Sequence, residues 1–315
     1  MHSSIYPSYV LITPARNEEA FLEKTIQSVI SQSILPAKWI IVSDGSTDNT
    51  DSIAMKYSEE YGWMDFKRMP EHNDRHFAAK AHCFNTGYQS IKTIAFEIIG
   101  NLDADLSFEP DYFEYLLSKF AAYPGLGVAG TPFVQDMDVR YDYRFTNIEH
   151  VSGACQLFRR DCFESIGGYT PIKSGGIDWV AVTTARMRGW ETKTFTGKTI
   201  YHHRKMGTGK GNTISAAYRL GRQDYDLGNH PLWELLRAVY QMRFKPYVLG
   251  GSALFAGFFL ASIRRAKRPI SHELQSFSRK EQKERLISKI LPSKKRISKL
   301  EKRKENDINF GKMKK

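Results

Sequence analysis

The chain has 315 residues, 41% of them hydrophobic, which is enough for one large buried core with appendages and is typical of a globular protein. Its three cysteines are an odd number at spacings that suit neither a disulfide framework nor a zinc site, which predicts a reducing compartment. Residues 264–315 hold 19 basic and 6 acidic residues of a chain whose net charge is +12, so the excess charge lies in the tail. This distribution argues against a uniformly basic nucleic-acid-binding domain.

Short apolar runs and amphipathic stretches alternate along the first hundred residues. The apolar runs that predict buried strands are 9–13, 38–44 and 95–102. The stretches that predict helices are 21–30, 54–61 and 77–91. This alternation predicts an α/β fold in which a mainly parallel sheet carries helices on both faces. Binding sites in such sheets lie beyond the carboxyl ends of the strands, where this chain has the polar loops TPARNEE, SDGSTDNT and NLDADLS.

The second half mixes strands and helices. The segments LGVAGTPF, GACQLFRR and ETKTFTGKTIY predict strands between residues 126 and 203. One helix is predicted to begin near Asp178 and to stop before Gly189, which can cap it. After the glycine-rich segment YHHRKMGTGKGNT, the pattern predicts helices at about 213–227 and 231–243.

Two aspartates one residue apart, Asp103 and Asp105, follow an apolar run that ends at Gly100. Neighbouring carboxylates at the end of a buried strand repel one another and are costly to desolvate, so a compensating cation is expected. Residues i and i+2 of an extended chain point to the same side, and Mg²⁺ or Mn²⁺ suits such a pair together with the phosphates of a substrate. The alternative is a solvated turn in which Asp105 caps the next helix.

Asp44 directly follows the second predicted strand, and Gly45 permits a tight turn there. A carboxylate in this position can accept hydrogen bonds from a nucleobase or a ribose. A well-capped turn between strand and helix would explain Ser46–Asn49 equally well, but it would not explain Asp44 at the strand end.

Four ordered segments resemble the inverting family 2 glycosyltransferases of GT-A fold. They are VLITPARNEEAFLEKTIQSVISQS, WIIVSDGSTDNT, NLDADLSF and GGIDWVAVTTARMRGW, within residues 7–205. The resemblance implies a GT-A (Rossmann-like) mixed, mainly parallel sheet flanked by helices, here with a C-terminal helical extension. It also implies an enzyme that moves a sugar from a nucleotide-diphosphate sugar to a glycan or lipid-linked acceptor, in the synthesis of bacterial cell-surface polysaccharide or glycolipid.

The resemblance assigns roles to the acidic residues. Asp44 would bind the base of the nucleotide, Asp103 would face the ribose and the metal, and Asp105 would bind the metal itself, Mn²⁺ or Mg²⁺. The loop residues that would also touch the nucleotide are Thr13, Pro14, Ala15, Arg16, Asn17 and Glu18. Asp178 would be the general base, although this sequence reads Ile177-Asp178 where many family members have Glu-Asp. The alternative for Asp178 is an aspartate favoured by the helix macrodipole.

The segment YHHRKMGTGKG completes the expected site. One of His202 and His203 is a candidate metal ligand, and the alternative is a pair of polar edge residues. Arg204, Lys205 and Lys210 are candidates to neutralise the leaving diphosphate.

Two other classes of protein were weighed against this enzyme. A sugar nucleotidyltransferase would need a basic glycine-rich phosphate loop after the first strand, which TPARNEE is not. A catalytically silent nucleotide-sugar-binding or membrane scaffold protein of the same fold would be expected to lose acidic residues of the four motifs, all of which are present.

The predicted organisation is a GT-A domain at 1–228, a hydrophobic helical extension at 229–270 and a basic charged tail at 271–315. The 17-residue apolar run Tyr247–Ile263 is at the short limit of a spanning helix, so we expect an in-plane or re-entrant helix, or else a core helix. Basic residues beyond it would be drawn to an anionic membrane surface. With no secretory signal at the start, we expect a cytoplasmic protein, peripheral to the inner face of the membrane.

Overall fold

A seven-stranded sheet forms the centre of the computed structural model, which describes residues 5–71, 77–135, 148–204 and 212–290. The strands are β1 Tyr9–Ala15, β2 Lys38–Ser43, β3 Met64–Arg68, β4 Ile98–Leu102, β5 Leu106–Ser107, β6 Leu126–Gly130, β7 Phe133–Val134, β8 Cys155–Arg159, β9 Glu191–Thr194 and β10 Ile200–His202. The helices are α1 Leu22–Ile30, α2 Thr50–Glu60, α3 Phe77–Ile91, α4 Tyr112–Ala122, α5 Arg160–Ser165, α6 Ile177–Met187, α7 Thr213–Asp226, α8 Pro231–Gln241, α9 Val248–Ile263 and α10 His272–Ile290.

The strand order in the large sheet is β3-β2-β1-β4-β8-β6-β9, and every neighbouring pair is parallel except those made by β8. Because β8 runs against both β4 and β6, the sheet is mixed but mainly parallel. A smaller sheet, β5-β10-β7, stands beside it. The predicted α/β architecture with helices on both faces is confirmed.

Two hydrophobic cores lie on the two faces of the large sheet, because successive strand residues point to opposite sides. In β1, Leu11 belongs to the core that contains α1 and α4, whereas Val10 and Ile12 belong to the core that contains α3 and α6. Strand β3 was not predicted from the sequence. It is an edge strand whose residues after Met64 are largely exposed, so it has no apolar run.

The last four helices form the C-terminal extension. Helices α7 and α9 pack closely, because Gly221 and Gly257 have no side chains to separate the two backbones. Helix α9 buries one side on α7, including Leu254 and Phe258, and exposes much of the other. The core-helix alternative therefore applies to only one face of this helix. None of the helices in the described ranges is both long enough and apolar enough to cross a membrane.

Helix α10 packs back against the α/β domain. Arg186 of α6 contacts Glu281 of α10 at 2.8 Å, and Leu274, Ser278 and Gln282 of α10 are buried. The predicted basic tail at 271–315 thus begins with a packed helix, and residues from 291 onward lie outside the described part.

Candidate functional site

A cleft of about 590 Å³ lies at the carboxyl ends of β1, β2 and β4. Each of the three polar loops predicted from the sequence contributes to it, as expected for the ends of adjacent parallel strands. Its lining residues are Pro14, Ala15, Arg16, Glu18, Asp44, Phe77, Ala79, Lys80, Cys83, Asp103, Ala104, Asp105, Lys173 and Arg204. Four of these fourteen residues carry carboxylates, four are cationic, and the other six are apolar or small.

Asp44 is one of the residues that line this cleft. Its backbone N–H donates to the carbonyl of Ala15 at 2.8 Å, which ties the end of β2 to the end of β1. Its side chain is buried and accepts a hydrogen bond from Nη1 of Arg16 at 3.1 Å. The thiol of Cys83 lies 3.5 Å from the other carboxylate oxygen. These contacts hold the Asp44 carboxylate at the wall of the cleft.

The six predicted residues of the first loop divide into two groups. Pro14, Ala15, Arg16 and Glu18 line the cleft. The hydroxyl of Thr13 is buried and accepts a hydrogen bond from the indole of Trp39 at 3.0 Å, so this side chain serves the core.

Asn17 is the other member that does not line the cleft. Its side-chain oxygen accepts from the backbone of Thr47 at 2.9 Å, and its own N–H donates to Ser46. With a φ of 56°, Asn17 adopts the left-handed conformation that asparagine tolerates better than most residues. It therefore joins the first loop to the second, and neither its side chain nor that of Thr13 lines the cleft.

Asp103 and Asp105, which line the cleft, form an acidic cluster with His202, which is not among the lining residues. One ligand atom from each lies within 4.8 Å of the other two. Nε2 of His202 lies 3.6 Å from Oδ1 of Asp105, and Nε of Arg204 lies 3.7 Å from Oδ2. Asp105 is buried, and burial also raises the pKa of Asp103. Two carboxylates and an imidazole at this separation are a suitable ligand set for a divalent cation such as Mn²⁺.

His203 does not join the cluster. Its Nε2 lies 2.9 Å from the hydroxyl of Ser107, and its ring stacks on Phe21 with the centroids 6.1 Å apart. Burial lowers its pKa, and so does nearby Lys24. Of the two histidines predicted as candidate ligands, the structure brings only His202 to the carboxylates.

Glu18 and Arg204 close the cluster on the side of the first loop. Arg204 pairs with the carboxylate of Glu18, and its guanidinium also donates to the carbonyl of Asn17 at 3.2 Å. Burial, and after it the negative charge of Asp105, raises the pKa of Glu18 to about 8, although the charge of Arg204 acts in the opposite direction. Arg204 therefore lies beside the cluster, and its role at the diphosphate stays a prediction. The predicted Lys205 and Lys210 lie outside the described residues.

Lys80 is a site residue that the sequence analysis missed. Its ammonium pairs with Asp103 and donates to the carbonyl of Gly153 at 3.1 Å. Helix α3 is otherwise rich in small and apolar buried residues, such as Ala78, Ala81 and Phe84 near it. A single lysine among such residues was the feature of the sequence that could have indicated a role for Lys80 in the site.

Asp178 lies in the first turn of α6 and lines a second cavity, of about 270 Å³. Its Oδ2 accepts a hydrogen bond from the backbone N–H of Gly153 at 3.2 Å. The carbonyl of the same Gly153 accepts from Lys80, so one residue connects Asp178 to the cluster around Asp103.

The second cavity is bounded by the C-terminal helices. Trp179 and His150 lie beside Asp178, and Trp233 and Arg237 of α8 contribute to the wall. Burial lowers the pKa of His150, while the charge of Asp178 acts in the opposite direction. The contribution of α7, α8 and α10 to this cavity was not predicted, because no local pattern links them to Asp178.

Comparison with solved structures supports the fold. The mannosyltransferase PcManGT from Pyrobaculum calidifontis, in complex with GDP-Man and Mn²⁺, superposes with a TM-score of 0.54 and 19% identity, covering 86% of this chain and 78% of that one. Residues 1–349 of Staphylococcus aureus TarS, in complex with UDP-GlcNAc, give a TM-score of 0.54 and 15% identity over the same shares. At these identities the likeness shows the fold alone.

Sequence comparison identifies the family. A poly-beta-1,6-N-acetyl-D-glucosamine synthase of Staphylococcus epidermidis is 32% identical over 121 residues, which are 38% of this chain and 27% of the relative. The corresponding synthase of Staphylococcus aureus (strain COL) is 30% identical over 121 residues, with the same coverage. The chain thus spans about a quarter of the length of these curated relatives. The family model "Glycosyl transferase family 2" matches residues 10–172, more than half of the chain. The predicted resemblance is confirmed, and the chain belongs to glycosyl transferase family 2.

Proposed function

We propose that the protein is an inverting glycosyltransferase that moves a sugar from a nucleotide-diphosphate sugar to an acceptor hydroxyl, in the synthesis of a cell-surface polysaccharide or glycolipid. The observation that carries this proposal is one cleft that is lined by Asp44, Asp103 and Asp105, with His202 next to the last two. A nucleotide needs a partner for its base, and a diphosphate needs positive charge or a bridging cation. The relatives that make poly-N-acetylglucosamine and the neighbours that bind UDP-GlcNAc or GDP-Man support this reading.

In this proposal the nucleotide lies along the cleft. Asp44, buried and oriented by Arg16, accepts hydrogen bonds from the base. Pro14 and Ala15 provide backbone and apolar contact beside it. Asp103 faces the ribose and the diphosphate. Phe77, at the start of α3, is 63% exposed and lines the cleft, so it can cover the donor from the solvent side.

The ligand atoms of the acidic cluster suit a divalent metal. Two carboxylate oxygens and one imidazole nitrogen converge, and they are hard or intermediate ligands of the kind that Mn²⁺ and Mg²⁺ accept. Such a cation, when bound by Asp103, Asp105 and His202, would neutralise charge on the diphosphate. Lys80 and Arg204 lie against the same carboxylates and add positive charge where the leaving group gains negative charge.

Asp178 is the proposed general base. Its carboxylate takes the proton from the acceptor hydroxyl as that oxygen forms a bond to the anomeric carbon, while the bond from this carbon to the diphosphate breaks on the opposite face. The hydrogen bond from Gly153 fixes the orientation of the carboxylate. The second cavity, which Asp178 lines with Trp179, would hold the acceptor, and a tryptophan can stack on a sugar ring.

A panel of nucleotide-sugars tests the proposal. The protein is incubated with UDP-GlcNAc, GDP-Man and related donors, with Mn²⁺ or with a chelator, and released nucleoside diphosphate is measured. We expect release from at least one donor, dependent on the metal and lost in Asp105→Ala. Equal release with chelator would contradict the metal assignment. Donor binding without any turnover, with either a glycan or a lipid-linked acceptor supplied, would favour the alternative of a silent nucleotide-sugar-binding protein.

We also propose that the protein works on the cytoplasmic side of the cell membrane, where nucleotide-sugars are made. Among the described residues the support is the apolar and basic character of α8, α9 and the segment after them.

A further inference from the structure

Helices α8 and α9, with the connection between them, present many apolar side chains to solvent. The exposed members are Leu232 50%, Leu235 43%, Leu236 44%, Val239 52%, Phe244 42%, Tyr247 55%, Val248 60%, Leu249 61%, Phe259 50%, Leu260 38% and Ile263 61%. We call these eleven residues the α8–α9 face. Exposed apolar residues are ordinary when scattered, but a group on two packed helices is typical of an interaction surface.

A groove between the two helices lies within this face. It encloses about 340 Å³ and is lined by Leu235, Ala238, Val239, Met242, Ser252, Phe255, Ala256, Phe259 and Leu260. Ser252 is the one hydroxyl-bearing residue among these nine, and none of them is charged. Such a groove suits a hydrocarbon chain better than a polar ligand.

The exposed charged side chains within residues 231–268 are all positive. The exposed cations Arg243 and Lys245 lie in the connection between α8 and α9, and Arg264 and Arg265 follow the end of α9. The single acidic residue between 231 and 268 is Glu234, and its side chain is buried. An apolar surface with basic residues at both ends of α9 is complementary to acyl chains below anionic headgroups.

We propose that the α8–α9 face binds in the plane of an anionic bilayer, with its apolar side chains at the acyl boundary and its cations at the lipid phosphates. Helix α9 has 16 residues and is therefore about 24 Å long at 1.5 Å per residue, short of a hydrocarbon core of about 30 Å. Gly257 of α9 packs on α7 and Gly251 packs on α8, so this side of α9 stays within the protein. Binding in the plane uses only the side that is exposed.

A second copy of the chain is the competing occupant. In a symmetric dimer the same patch meets itself, so the cations of one copy would approach those of the other. No exposed acidic side chain within 231–268 is available to compensate them. The charge pattern therefore favours lipid over self-association.

Membrane docking would also affect the acceptor, a consequence that rests on the proposed function. Trp233 and Arg237 of α8 line the cavity that contains Asp178, while Leu235 and Val239 of the same helix belong to the α8–α9 face. One helix thus separates the proposed base from the bilayer surface. A lipid-linked acceptor could reach the cavity without leaving the membrane.

Vesicle cosedimentation with the full chain tests the docking itself and needs no activity. The vesicles contain phosphatidylcholine alone or phosphatidylcholine with a quarter of phosphatidylglycerol. We expect binding to the mixed vesicles that weakens in high salt. Arg264→Gln with Arg265→Gln should reduce partitioning roughly 25-fold, at about fivefold for each basic residue near an anionic surface. Leu236→Gln with Leu249→Gln should reduce partitioning to both kinds of vesicle, because apolar area no longer enters the acyl boundary.

Matched controls remove comparable groups elsewhere. Lys56→Gln with Lys92→Gln removes two exposed charges, and Met55→Gln removes an apolar side chain that is 48% exposed. These variants should partition as the unaltered chain does, and all variants should keep its melting temperature. If neither variant of the α8–α9 face changed the partitioning, the proposal would be overturned and binding would be assigned to the basic tail at 271–315. A dimer by light scattering that Leu236→Gln with Leu249→Gln converts to a monomer would overturn it in favour of self-association.

Discussion

Replacing Asp178 by asparagine separates chemistry from binding and folding. The amide has nearly the same shape as the carboxylate and can still accept the hydrogen bond from Gly153, but it is not a base at neutral pH. If Asp178 takes the acceptor proton, the turnover number should fall by roughly 10²–10⁴, the usual contribution of general base catalysis. This corresponds to about 3–5 kcal/mol of the activation free energy.

The expected effect on stability is much smaller and follows from two contacts. The hydrogen bond from Gly153 to a charged oxygen becomes one to a neutral oxygen, which weakens it by about 1 kcal/mol. Loss of the negative charge in the first turn of α6 removes about 0.3–1 kcal/mol more of favourable interaction with the helix macrodipole. A total of about 1–2 kcal/mol leaves a domain of ordinary stability folded.

Three measurements on Asp178→Asn check these expectations: sugar transfer, donor binding by calorimetry and denaturant unfolding. Asp161→Asn is a matched control, since Asp161 is an exposed aspartate in the first turn of α5, outside the site. Asp161→Asn should keep full activity, and its stability should fall only by the macrodipole contribution. If Asp178→Asn retains transfer within about twofold, the base is another group. If donor affinity falls as far as transfer, Asp178 positions the donor instead.

Three further predictions concern the metal ligands, pH and the C-terminal helices. Removing His202 with alanine should weaken Mn²⁺ binding by calorimetry at least tenfold, whereas His203→Ala should have little effect, and equal losses would contradict the assignment of ligands. Burial and the charge of Asp224 raise the pKa of Glu234 to about 8 from an ordinary 4.5, so the native state keeps a proton that the unfolded state releases. Stability should therefore fall as pH rises from about 4.5 to about 8, and Glu234→Gln should flatten this dependence of melting temperature on pH. Gly257→Ala places a methyl group against a backbone carbonyl of α7 and should lower the free energy of unfolding by about 1–3 kcal/mol in urea titrations.

Much of the fold follows from periodicity in the sequence. Buried strands such as β1 and β4 have continuous apolar runs, and α1 repeats its apolar residues at helical spacing. The position of the site follows as well, because the loops containing Asp44 and Asp105 end parallel strands. These features are local, or depend on a general rule about sheets.

Contacts between distant segments could not be predicted in this way. The choice of His202 over His203 depends on the pairing of β10 with β5, which turns adjacent side chains to different surroundings. Lys80 reaches Asp103 across 23 positions of sequence. The wall that α8 adds beside Asp178 depends on the path of the whole C-terminal extension.

We propose that Asp103, Asp105 and His202 hold the diphosphate of a sugar donor through a divalent cation while Asp44 binds the base of the nucleotide. The most direct measurement is a crystal structure with Mn²⁺ and the nucleoside diphosphate that the donor panel identifies, with data collected at the manganese edge. We expect one anomalous peak bonded to these three side chains and to the diphosphate, with the base against Asp44. A diphosphate held by Lys80 and Arg204 with no peak at the cluster, or a base bound away from Asp44, would contradict it.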